Sequence, residues 1–574
     1  MNKIYMCLKP FRRQIILGPI FKLFEALFEL LLPIFMAKLI DNGIKLNNTV
    51  YIMHMGLIMI SIAIIGTGCS YICQYFASLA AQGFGTSLRN SLFKHILNFS
   101  YKDIDSIGTS TLTIRITNDI SAIQLGLNMA IRLLLRVPFI AICSIVMILY
   151  IDYSLVHVIL FSVPCCALIL FIIMARSLPM YRTVQKKLDS LSRIIRENLK
   201  GVRVIRAFGK KEYEFKRFKK ENDEYKGLAL KVSFFVGLSN PLTSLVLNIS
   251  ILGVLYFGSF NINSGTLSQG DLIACVSYFT QIVLALVMFT SLTPIYSRSL
   301  ASLSRVSDIF NLNPSIVSGK EEVKSELFDK GENILSFNDV SFSYNNSEYA
   351  LKNISFSLKK GETLGIIGGT GSGKSTLINL IPRFYDVENG SILVKGLDVK
   401  KWKEKTLRNI IGVVPQRSKL FTGTLYENIV FGRNDISLDD VEKAIEISQS
   451  SEFIDKLKDR LNTKLEHNGD NFSGGQKQRI SIARAVVNAP EILILDDSSS
   501  ALDYETDRNL RDAIKKLNST NIIVSQRVNS VRNCDKILVL KNGKIEGLGS
   551  HKELLKSSEE YIKIAESQGE MDYE

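Results

Sequence analysis

The segment EILILDD, in the second half of the chain, is an apolar run that ends in two aspartates. Asp496 ends the run, where a carboxylate at the end of a buried strand can help to hold a magnesium ion. Asp497 follows, at a position where many nucleotide hydrolases carry a glutamate that activates water. The two side chains raise the question whether Asp497 is a general base of short reach, or part of a site that binds a nucleotide and hydrolyses it poorly.

A glycine-rich segment that fits the pattern G-x-x-x-x-G-K-[ST] predicts a site for phosphate groups. Apolar strands lead into it and a helical pattern follows, which is the context that this pattern requires. Its glycines let backbone N–H groups curl around phosphate oxygens, Lys374 reaches the β- and γ-phosphates, and the Ser375 hydroxyl can ligate magnesium. The residues predicted here to bind ATP are Gly368, Gly369, Thr370, Gly371, Ser372, Gly373, Lys374, Ser375 and Thr376.

Two further segments complete this chemistry. Gln416 ends a short apolar run in VVPQ and is suited to contacting magnesium and the attacking water. The predicted magnesium ligands are Ser375, Gln416 and Asp496. The segment NFSGGQKQR begins a helix with exposed N–H groups that can form a second phosphate-binding terminus, at Ser473, Gly474, Gly475 and Gln476. Two such phosphate sites in one chain are consistent with nucleotides held between two subunits.

The composition of the 574-residue chain changes near residue 310. Long apolar segments with little charge come before this point, and an ordinary soluble mixture comes after it. The net charge of +14 is concentrated between apolar segments, which is the positive-inside pattern of membrane proteins and does not favour a nucleic-acid partner. We predict an all-α six-helix transmembrane domain over 1–310, a linker over 311–333, and an α/β P-loop nucleotide-binding domain over 334–574.

Six apolar segments are long enough to span a bilayer, which takes about 20 residues each. They cover residues 15–40, 52–79, 127–151, 154–176, 234–258 and 270–293. An even number returns the chain to its starting side, and the short loops between spans carry little positive charge. The N-terminus, the C-terminus and the two long helical connections, 80–126 and 177–233, are therefore expected in the cytosol.

Two of the predicted spans contain charged residues at helical i, i+4 spacing. They are Glu25 and Glu29 in FEALFELLLP, and Arg132 and Arg136 in IRLLLRVP. Charged groups in a span normally face the protein interior or a water-filled cavity. They either give a translocation path a polar surface that attracts cationic cargo, or they pair with each other, or they lie where the helices have left the bilayer.

The ordered motifs and the six spans resemble the ATP-binding-cassette (ABC) transporters over essentially the whole chain, and specifically a half-transporter of the exporter type. The resemblance implies that Gln416 is the Q-loop glutamine, residues 473–476 are the signature, and Asp496 is the Walker B aspartate. It makes Tyr344 the aromatic residue on which adenine stacks, and places Ala501, Leu502 and Asp503 in the D-loop at the dimer seam. The segments SYKDIDSIGTS and FGKKEYEFKRF resemble the cores of the family's two coupling helices.

The sequence departs from the family pattern at two catalytic positions. Asp497 replaces the usual glutamate, and its carboxylate is shorter in reach by one methylene. Gln526, in NIIVSQRVNSV, stands where the family keeps a histidine, and an amide cannot carry a proton or a positive charge. Both groups belong to one site whose phosphate loop, glutamine and Walker B aspartate are intact. We therefore expect a site that binds ATP and hydrolyses it poorly.

The intact signature beside these two departures indicates an asymmetric dimer. In the family's head-to-tail arrangement, the signature faces the phosphate loop of the other subunit. A homodimer would then contain two weakened sites, whereas a heterodimer would contain one weakened and one competent site. The pattern is similar to the asymmetric multidrug exporters of bacteria, which implies a partner half-transporter with Glu and His at the two positions, a plasma-membrane location, and amphipathic substrates that include lipids.

Other functions remain open from the sequence alone. The same architecture serves homodimeric exporters, peptide exporters and a few importers of metal chelates. A nucleotide-gated channel or membrane regulator would also tolerate slow hydrolysis. ATP-dependent substrate movement in sealed vesicles separates transport from a channel, which would pass ions down their gradient.

Overall fold

The protein is described from a computed structural model that covers residues 2–322, 332–344, 348–498 and 502–569. The chain divides into two compact units. The first contains Met1–Leu97 and Thr109–Leu312, and the second contains Asn98–Gly108 and Asn313–Glu574. A short segment from the first long connection thus belongs to the same unit as the nucleotide motifs.

The first unit is built only of helices in its described part. Its α-helices are α1 (Asn2–Leu8), α2 (Arg12–Leu39), α3 (Thr49–Leu97), α5 (Thr109–Ile114), α6 (Ile120–Met129), α7 (Arg136–Ile151), α8 (Val156–Lys200), α9 (Val202–Ala207), α10 (Lys211–Gly237), α11 (Ser239–Asn263) and α12 (Gln269–Asn311). Short π-helical segments at Arg115–Asp119 and Ala130–Leu134 connect α5 to α7 with little interruption. A buried apolar cluster around Tyr278 and Phe279 of α12 packs these helices together, and the Tyr278 hydroxyl donates to the carbonyl of Leu30 at 2.7 Å.

Five continuous helical stretches of the described chain are long and apolar enough to cross a membrane. They are Thr49–Leu97, Thr109–Ile151, Tyr153–Lys200, Lys211–Asn263 and Gln269–Asn311. These stretches contain five of the six predicted spans. The remaining one, 15–40, falls on α2, which has 28 residues but carries Lys22, Glu25 and Glu29 within its apolar sequence. The sixth span therefore stays a prediction, as does the location of the termini.

Three charged residues in the middle of α2, Lys22, Glu25 and Glu29, are paired within the first unit. Lys22 is almost fully buried, and its Nζ lies 2.6 Å from Glu25 Oε2 and 3.3 Å from Ser70 Oγ. Arg136 Nη2 donates to Glu29 Oε2 at 2.6 Å. Ion pairing is thus confirmed for Glu29 and Arg136, whereas Glu25 pairs with Lys22, one helical turn before it. An ion removed from water is costly unless it is paired, which accounts for the contact between the buried Lys22 and Glu25.

The second unit combines strands and helices. Its strands are β1 (Asn333–Phe342), β2 (Leu351–Lys359), β3 (Thr363–Gly368), β4 (Asn389–Val394), β5 (Leu397–Asp398), β6 (Ile411–Val414), β7 (Gly423–Thr424), β8 (Lys464–Leu465), β9 (Ile492–Asp496), β10 (Thr520–Val524), β11 (Lys536–Lys541) and β12 (Lys544–Gly549). Its helices are α4 (Tyr101–Ile107), α13 (Lys374–Leu380), α14 (Glu404–Asn409), α15 (Leu425–Val430), α16 (Leu438–Ile447), α17 (Ser451–Ile454), α18 (Gly474–Val486), α19 (Tyr504–Lys515), α20 (Val528–Val531), α21 (His551–Ser557) and α22 (Glu559–Ser567).

The larger sheet positions the nucleotide motifs. Its strand order is β12-β11-β3-β10-β9-β6, and the pairs from β11 to β6 are parallel. Val524 of β10 is in register with both Ile366 of β3 and Asp496 of β9. The carboxyl ends of β3, β10, β9 and β6 therefore meet at one edge of the sheet, where ligands of open α/β sheets bind.

A second, four-stranded antiparallel sheet has the order β2-β1-β4-β5. One apolar cluster joins both sheets and includes the fully buried Trp402, whose indole N–H donates to the carbonyl of Val394 at 3.1 Å. A second cluster packs α15, α16 and α18 against β9. Leu364 and Ile366 of β3 belong to the first cluster and Ile367 to a third, with Val539 and Val531, so the strand preceding the phosphate loop is buried on both faces and gives the loop a rigid base.

Candidate functional site

The phosphate loop joins β3 directly to α13. Gly368 has φ of 158° and Gly373 has φ of 102°, both in the region that glycine adopts at least cost. A Cβ at Gly373 would lie 2.8 Å from the carbonyl oxygen of Ala350, and one at Gly368 would lie 2.2 Å from that of Leu540. Neither position has room for a larger residue. The loop therefore depends on glycine both for its backbone turn and for its close approach to neighbouring strands.

Lys374 is folded back onto its own loop. Its Nζ donates to the carbonyl oxygens of Gly368 at 2.8 Å and Gly369 at 2.7 Å, and its side chain is largely buried. Burial lowers the pKa of Lys374, and the charges of Asp496 and Asp497 act in the opposite direction. An ammonium group held by two carbonyls and facing two carboxylates is placed to neutralise phosphate oxygens that enter the loop.

Ser375 and Asp496 lie next to each other at the predicted metal position. The Ser375 hydroxyl donates to Asp496 Oδ2 at 3.3 Å. Burial raises the pKa of Asp496, the hydrogen bond from Ser375 lowers it, and the neighbouring Asp497 raises it further. One carboxylate, one hydroxyl and the oxygens of a phosphate chain are the hard donors that Mg²⁺ takes in phosphoryl-transfer sites, so the residues fit this ion. Gln416 is the third predicted ligand, and it is exposed at the end of β6.

These side chains surround one cavity of about 400 Å³. Its walls are formed by Tyr344, Ala350, Thr370, Gly371, Ser372, Gly373, Lys374, Ser375, Thr376, Gln416, Asp496, Asp497, Val524, Ser525 and Gln526. Gly368 and Gly369 contribute the carbonyls that hold Lys374. The cavity thus brings together residues from four strand ends that are far apart in the sequence.

Asp497 and Gln526 stand at neighbouring strand ends. The backbone N–H of Asp497 donates to the carbonyl of Val524 at 2.9 Å, which ties the residue after β9 to the end of β10. Asp497 has φ of 45°, a left-handed conformation that aspartate adopts more readily than most residues. The Gln526 carbonyl accepts from Gln568 Nε2 at 2.7 Å, and its side chain is exposed to the cavity. The two departures from the family pattern therefore face one site.

Tyr344 contributes an aromatic wall to the same cavity. Its hydroxyl lies 3.1 Å from Thr376 Oγ1, and 37 % of the residue is exposed. The edges of Phe342 and Tyr385 support the ring at centroid distances of 5.0 and 5.3 Å. An aromatic ring that is braced from the sides and has an accessible face is suited to stacking on a planar base.

The signature residues lie outside this cavity. Ser473 begins α18 with a capping box, in which its hydroxyl accepts from the Gln476 N–H at 3.3 Å and the Gln476 side chain accepts from the Ser473 N–H at 2.9 Å. Gly474 has no atom within 4 Å of the position that a Cβ would take. Asp503 caps α19 through the Thr506 N–H at 2.9 Å, and Leu502 precedes it. Ala501 lies outside the described residues.

Two family profiles match the chain, one to each part. The ABC transporter transmembrane region matches residues 15–286, and the ABC transporter domain matches residues 351–500. The ABC transporter ATP-binding protein YfiB of Bacillus subtilis is 36% identical over 569 residues, which cover 99% of this chain and 98% of that protein. This chain belongs to the ABC transporters. The predicted fold class, a transmembrane domain followed by a nucleotide-binding domain, is thereby confirmed, whereas the boundaries of the two domains stay predictions.

Other comparisons define the architecture of this ABC transporter. The ATP-dependent lipid A-core flippase of Syntrophus aciditrophicus is 32% identical over 526 residues, covering 91% of this chain and 86% of the flippase. A bacterial Atm1-family ABC exporter solved with ATP bound superposes with a TM-score of 0.81 over 98% of this chain and 99% of that chain, at 23% sequence identity. The fold is therefore a helical transmembrane domain of the exporter type followed by an α/β nucleotide-binding domain, as the sequence predicted.

Three residues that line the cavity of this ABC transporter were not predicted as site residues from the sequence. Val524 and Ser525 immediately precede Gln526 at the end of β10, and Ala350 precedes β2. The pair Val524 and Ser525 follows from the strand pattern of NIIVSQ, since every residue at the carboxyl end of this strand faces the same edge. Ala350 carries no comparable signal, because a small apolar residue before a strand has no distinctive chemistry.

Proposed function

We propose that this chain is one half of an ATP-driven exporter of amphipathic compounds, and that it contributes a weakly hydrolysing ATP site and a working signature to an asymmetric heterodimer. The observation that carries the proposal is the shared position of Asp497 and Gln526 in one cavity, beside an intact phosphate loop, Ser375 and Asp496. A site weakened at both catalytic positions and preserved at every binding position is suited to holding ATP rather than to splitting it.

The catalytic weakness has a physical basis in both residues. Removing one methylene shortens the reach of the carboxylate by roughly 1.5 Å, whereas a general base must come within about 3 Å of its water or act through another. Gln526 can donate a hydrogen bond to the γ-phosphate but cannot supply positive charge to it. In this site, Tyr344 would stack on adenine, Lys374 would neutralise phosphate charge, and Ser375, Gln416 and Asp496 would hold magnesium.

The proposed partner is a second ABC half-transporter with Glu and His at the corresponding positions. Its phosphate loop would face Ser473, Gly474, Gly475 and Gln476 of this chain, and Leu502 and Asp503 would lie at the seam between the nucleotide-binding domains. The absence of these signature residues from the lining of the chain's own cavity supports an action on the other subunit.

The proposed cargo is an amphipathic molecule such as a drug, a lipid or a peptide. Two relatives, from Syntrophus aciditrophicus and Pectobacterium atrosepticum, bear the name lipid A-core flippase, which supports a lipid as one candidate cargo. The exporter-type fold supports movement out of the cell, and the positive-inside charge pattern with an even number of predicted spans supports a bacterial plasma membrane with both termini in the cytosol.

Repairing the site tests the proposal. The heterodimer would be prepared with a partner whose catalytic glutamate is changed to glutamine, and Asp497→Glu with Gln526→His would be introduced in this chain. We expect almost no ATP hydrolysis before the repair and measurable turnover after it. With an intact partner, the same repair should change turnover only modestly, because the competent site already sets the cycle.

Thermal melting of each variant provides the control, since a longer side chain at Asp497 must adopt a left-handed backbone. Free hydrolysis in the unrepaired complex with the inactivated partner would show that Asp497 is a working base. That outcome would contradict the proposed asymmetry.

A further inference from the structure

The carboxyl end of α22 contacts the segment that carries Gln526. Gln568 is the first residue after this helix. Its side-chain Nε2 donates to the carbonyl of Gln526 at 2.7 Å, and its Oε1 accepts from the Val528 N–H at 2.9 Å. Gln526 lines the nucleotide cavity. A single amide therefore binds the backbone of a residue in the cavity wall and that of a residue two positions further along.

The chemistry of this contact favours glutamine. The two backbone groups have opposite polarity, because the carbonyl accepts a hydrogen bond and the N–H donates one. A side-chain amide carries both a donor and an acceptor and can satisfy the two groups at once. A carboxylate only accepts and an ammonium group only donates, so either would satisfy one group and leave the other unpaired.

The packing of α22 holds Gln568 in place. Tyr561 and Ala565 are fully buried in one apolar cluster together with Val528. Gly569 follows Gln568 with φ of 67°, the left-handed conformation with which many helices end. The helix is thus packed against the segment that Gln568 binds, and it ends where the side-chain amide meets that backbone.

The other side of the Gln526 segment is held by the sheet. The Ser525 N–H donates to the carbonyl of Ile366 in β3 at 3.1 Å, at the end of the parallel pairing between β3 and β10. Beyond Ser525 the chain leaves the sheet, and Gln568 binds the backbone there. Removing the Gln568 amide should therefore loosen the backbone of Gln526 and leave β10 unchanged.

We propose that Gln568 is a positioning residue for Gln526, and that it thereby sets how strongly this site prefers ATP to ADP. The inference rests on the proposed function, in which the Gln526 amide donates to the γ-phosphate. ADP has no γ-phosphate and cannot make this bond. A fixed backbone limits the conformations of the Gln526 side chain before the nucleotide arrives, so less entropy is lost when the bond to ATP forms.

Competition on the intact transporter measures this preference. This chain would be photolabelled with 8-azido-ADP, a probe without a γ-phosphate, and the label would be displaced by magnesium ATP or by magnesium ADP. We expect Gln568→Ala to weaken displacement by ATP about fivefold, which corresponds to about one net hydrogen bond. Displacement by ADP should change by less than twofold. A general loss of structure would instead weaken both nucleotides and lower the melting temperature.

Two further variants test the geometry of the contact. Gln568→Glu keeps an acceptor for the Val528 N–H but places a second acceptor against the Gln526 carbonyl. It should weaken ATP at least as much as Gln568→Ala does. Glu566→Ala, exposed in the last turn of α22, is the matched control and should behave as the parent does.

A double-mutant cycle separates positioning from an independent effect. Gln526→Ala removes the amide that would contact the γ-phosphate, and it should weaken ATP about tenfold. Once this amide is absent, adding Gln568→Ala should weaken ATP by less than twofold more, because two residues that act through one interaction are not additive. An independent structural contribution would repeat the whole fivefold loss.

Three outcomes would overturn the inference while the nucleotide site stands: equal weakening of ATP and ADP in Gln568→Ala, no weakening of either, or additive losses in the double variant. An unchanged preference for ATP in Gln526→Ala would contradict the proposed contact of Gln526 with the γ-phosphate, and the role of Gln568 with it. Failure of the parent chain to label with 8-azido-ADP would overturn the proposed nucleotide site itself.

Discussion

Two helix starts in the nucleotide-binding unit are predicted to meet phosphate groups, and they are built differently. α13 begins at Gly373 without a side-chain cap, inside a loop that curls around the cavity and presents Lys374 to it. α18 begins at Ser473 with a capping box that engages two of its own N–H groups. The first start belongs to the chain's own cavity, whereas the second lies outside that cavity.

The start of α13 and the start of α18 are therefore suited to different roles. An uncapped helix start enclosed by a loop leaves its N–H groups to a ligand, and Asp497 and Gln526 line the same cavity. A capped start is stable by itself and presents a preformed surface to a partner. The proposed asymmetry, a weakened site in this chain and a working signature for its partner, would use one helix start of each kind.

Expressing the chain alone is the strongest test of this difference. Every site in such a preparation lacks the glutamate and the histidine, so ATP hydrolysis should fall roughly 10²–10⁴-fold below that of the complex, the range attributed to a positioned general base. Hydrolysis would be measured on the purified chain in lipid, with ATP binding as the control for folding. Drug-stimulated turnover comparable to the complex would favour a homodimer in which Asp497 is the base.

The signature can be tested in the complex by Gly475→Asp. A carboxylate at the start of α18 repels the partner's nucleotide and occupies the space meant for its phosphate, so turnover should fall roughly 10²–10³-fold, as on losing a key stabilising donor. Photolabelling of this chain's own cavity should be unchanged. Lys477→Gln, two positions further along the same helix, lowers the net charge by the same single unit without adding a carboxylate and provides the comparison. Retention of turnover in Gly475→Asp would contradict the head-to-tail assignment.

Lys374→Ala tests the other helix start. The change removes the ammonium group that the two loop carbonyls hold in place, and ATP affinity at this site should fall roughly 10- to 100-fold, as expected for a lost charge-assisted hydrogen bond. Binding would be titrated with a fluorescent ATP analogue. Lys352→Ala, on β2, is a matched control with the same change in charge. Unchanged stoichiometry and affinity would show that this phosphate loop is not occupied.

The smallest expected effect is on the melting temperature at low pH. It comes from Asp103 of α4, a helix that is separate from α13 and α18. Burial alone would raise the pKa of Asp103, but the hydrogen bonds from Ser315 and Ser100 hold it below its usual value. The stabilisation is therefore fully present above the unfolded pKa of about 3.9 and is lost as pH falls through the lower folded pKa. Because Asp103 stays ionised between pH 6 and 8, it should not change the melting temperature over this range.

Asp103→Asn should melt below the parent at pH 6 and approach it as pH falls towards 3. Asp105→Asn, on the same helix without the capping role, serves as the comparison. A constant difference between Asp103→Asn and the parent over this pH range would contradict the assigned contribution.

The sequence determined those features that depend on a few neighbouring residues. The phosphate loop, the end of β9 at Asp496 and the cap at Ser473 are each specified within one local segment, because glycine conformation, strand alternation and helix capping are short-range effects. The resemblance to ABC transporters followed from the order of such segments. Long apolar runs likewise predicted the membrane helices, with α2 as the one whose charges weaken the signal.

The tertiary structure decided which distant groups meet. The order β3-β10-β9-β6 brings Gln526 and Asp497 into one cavity, and nothing in either segment specifies its neighbour. Glu29 pairs with Arg136 across 107 residues, whereas Glu25 pairs with Lys22 three residues away, although both glutamates have similar local sequences. Tyr385 meets Asp105 across 280 residues. A side chain's chemistry is local, but its partner is chosen by the packing of whole helices and strands, and only the folded chain fixes that choice.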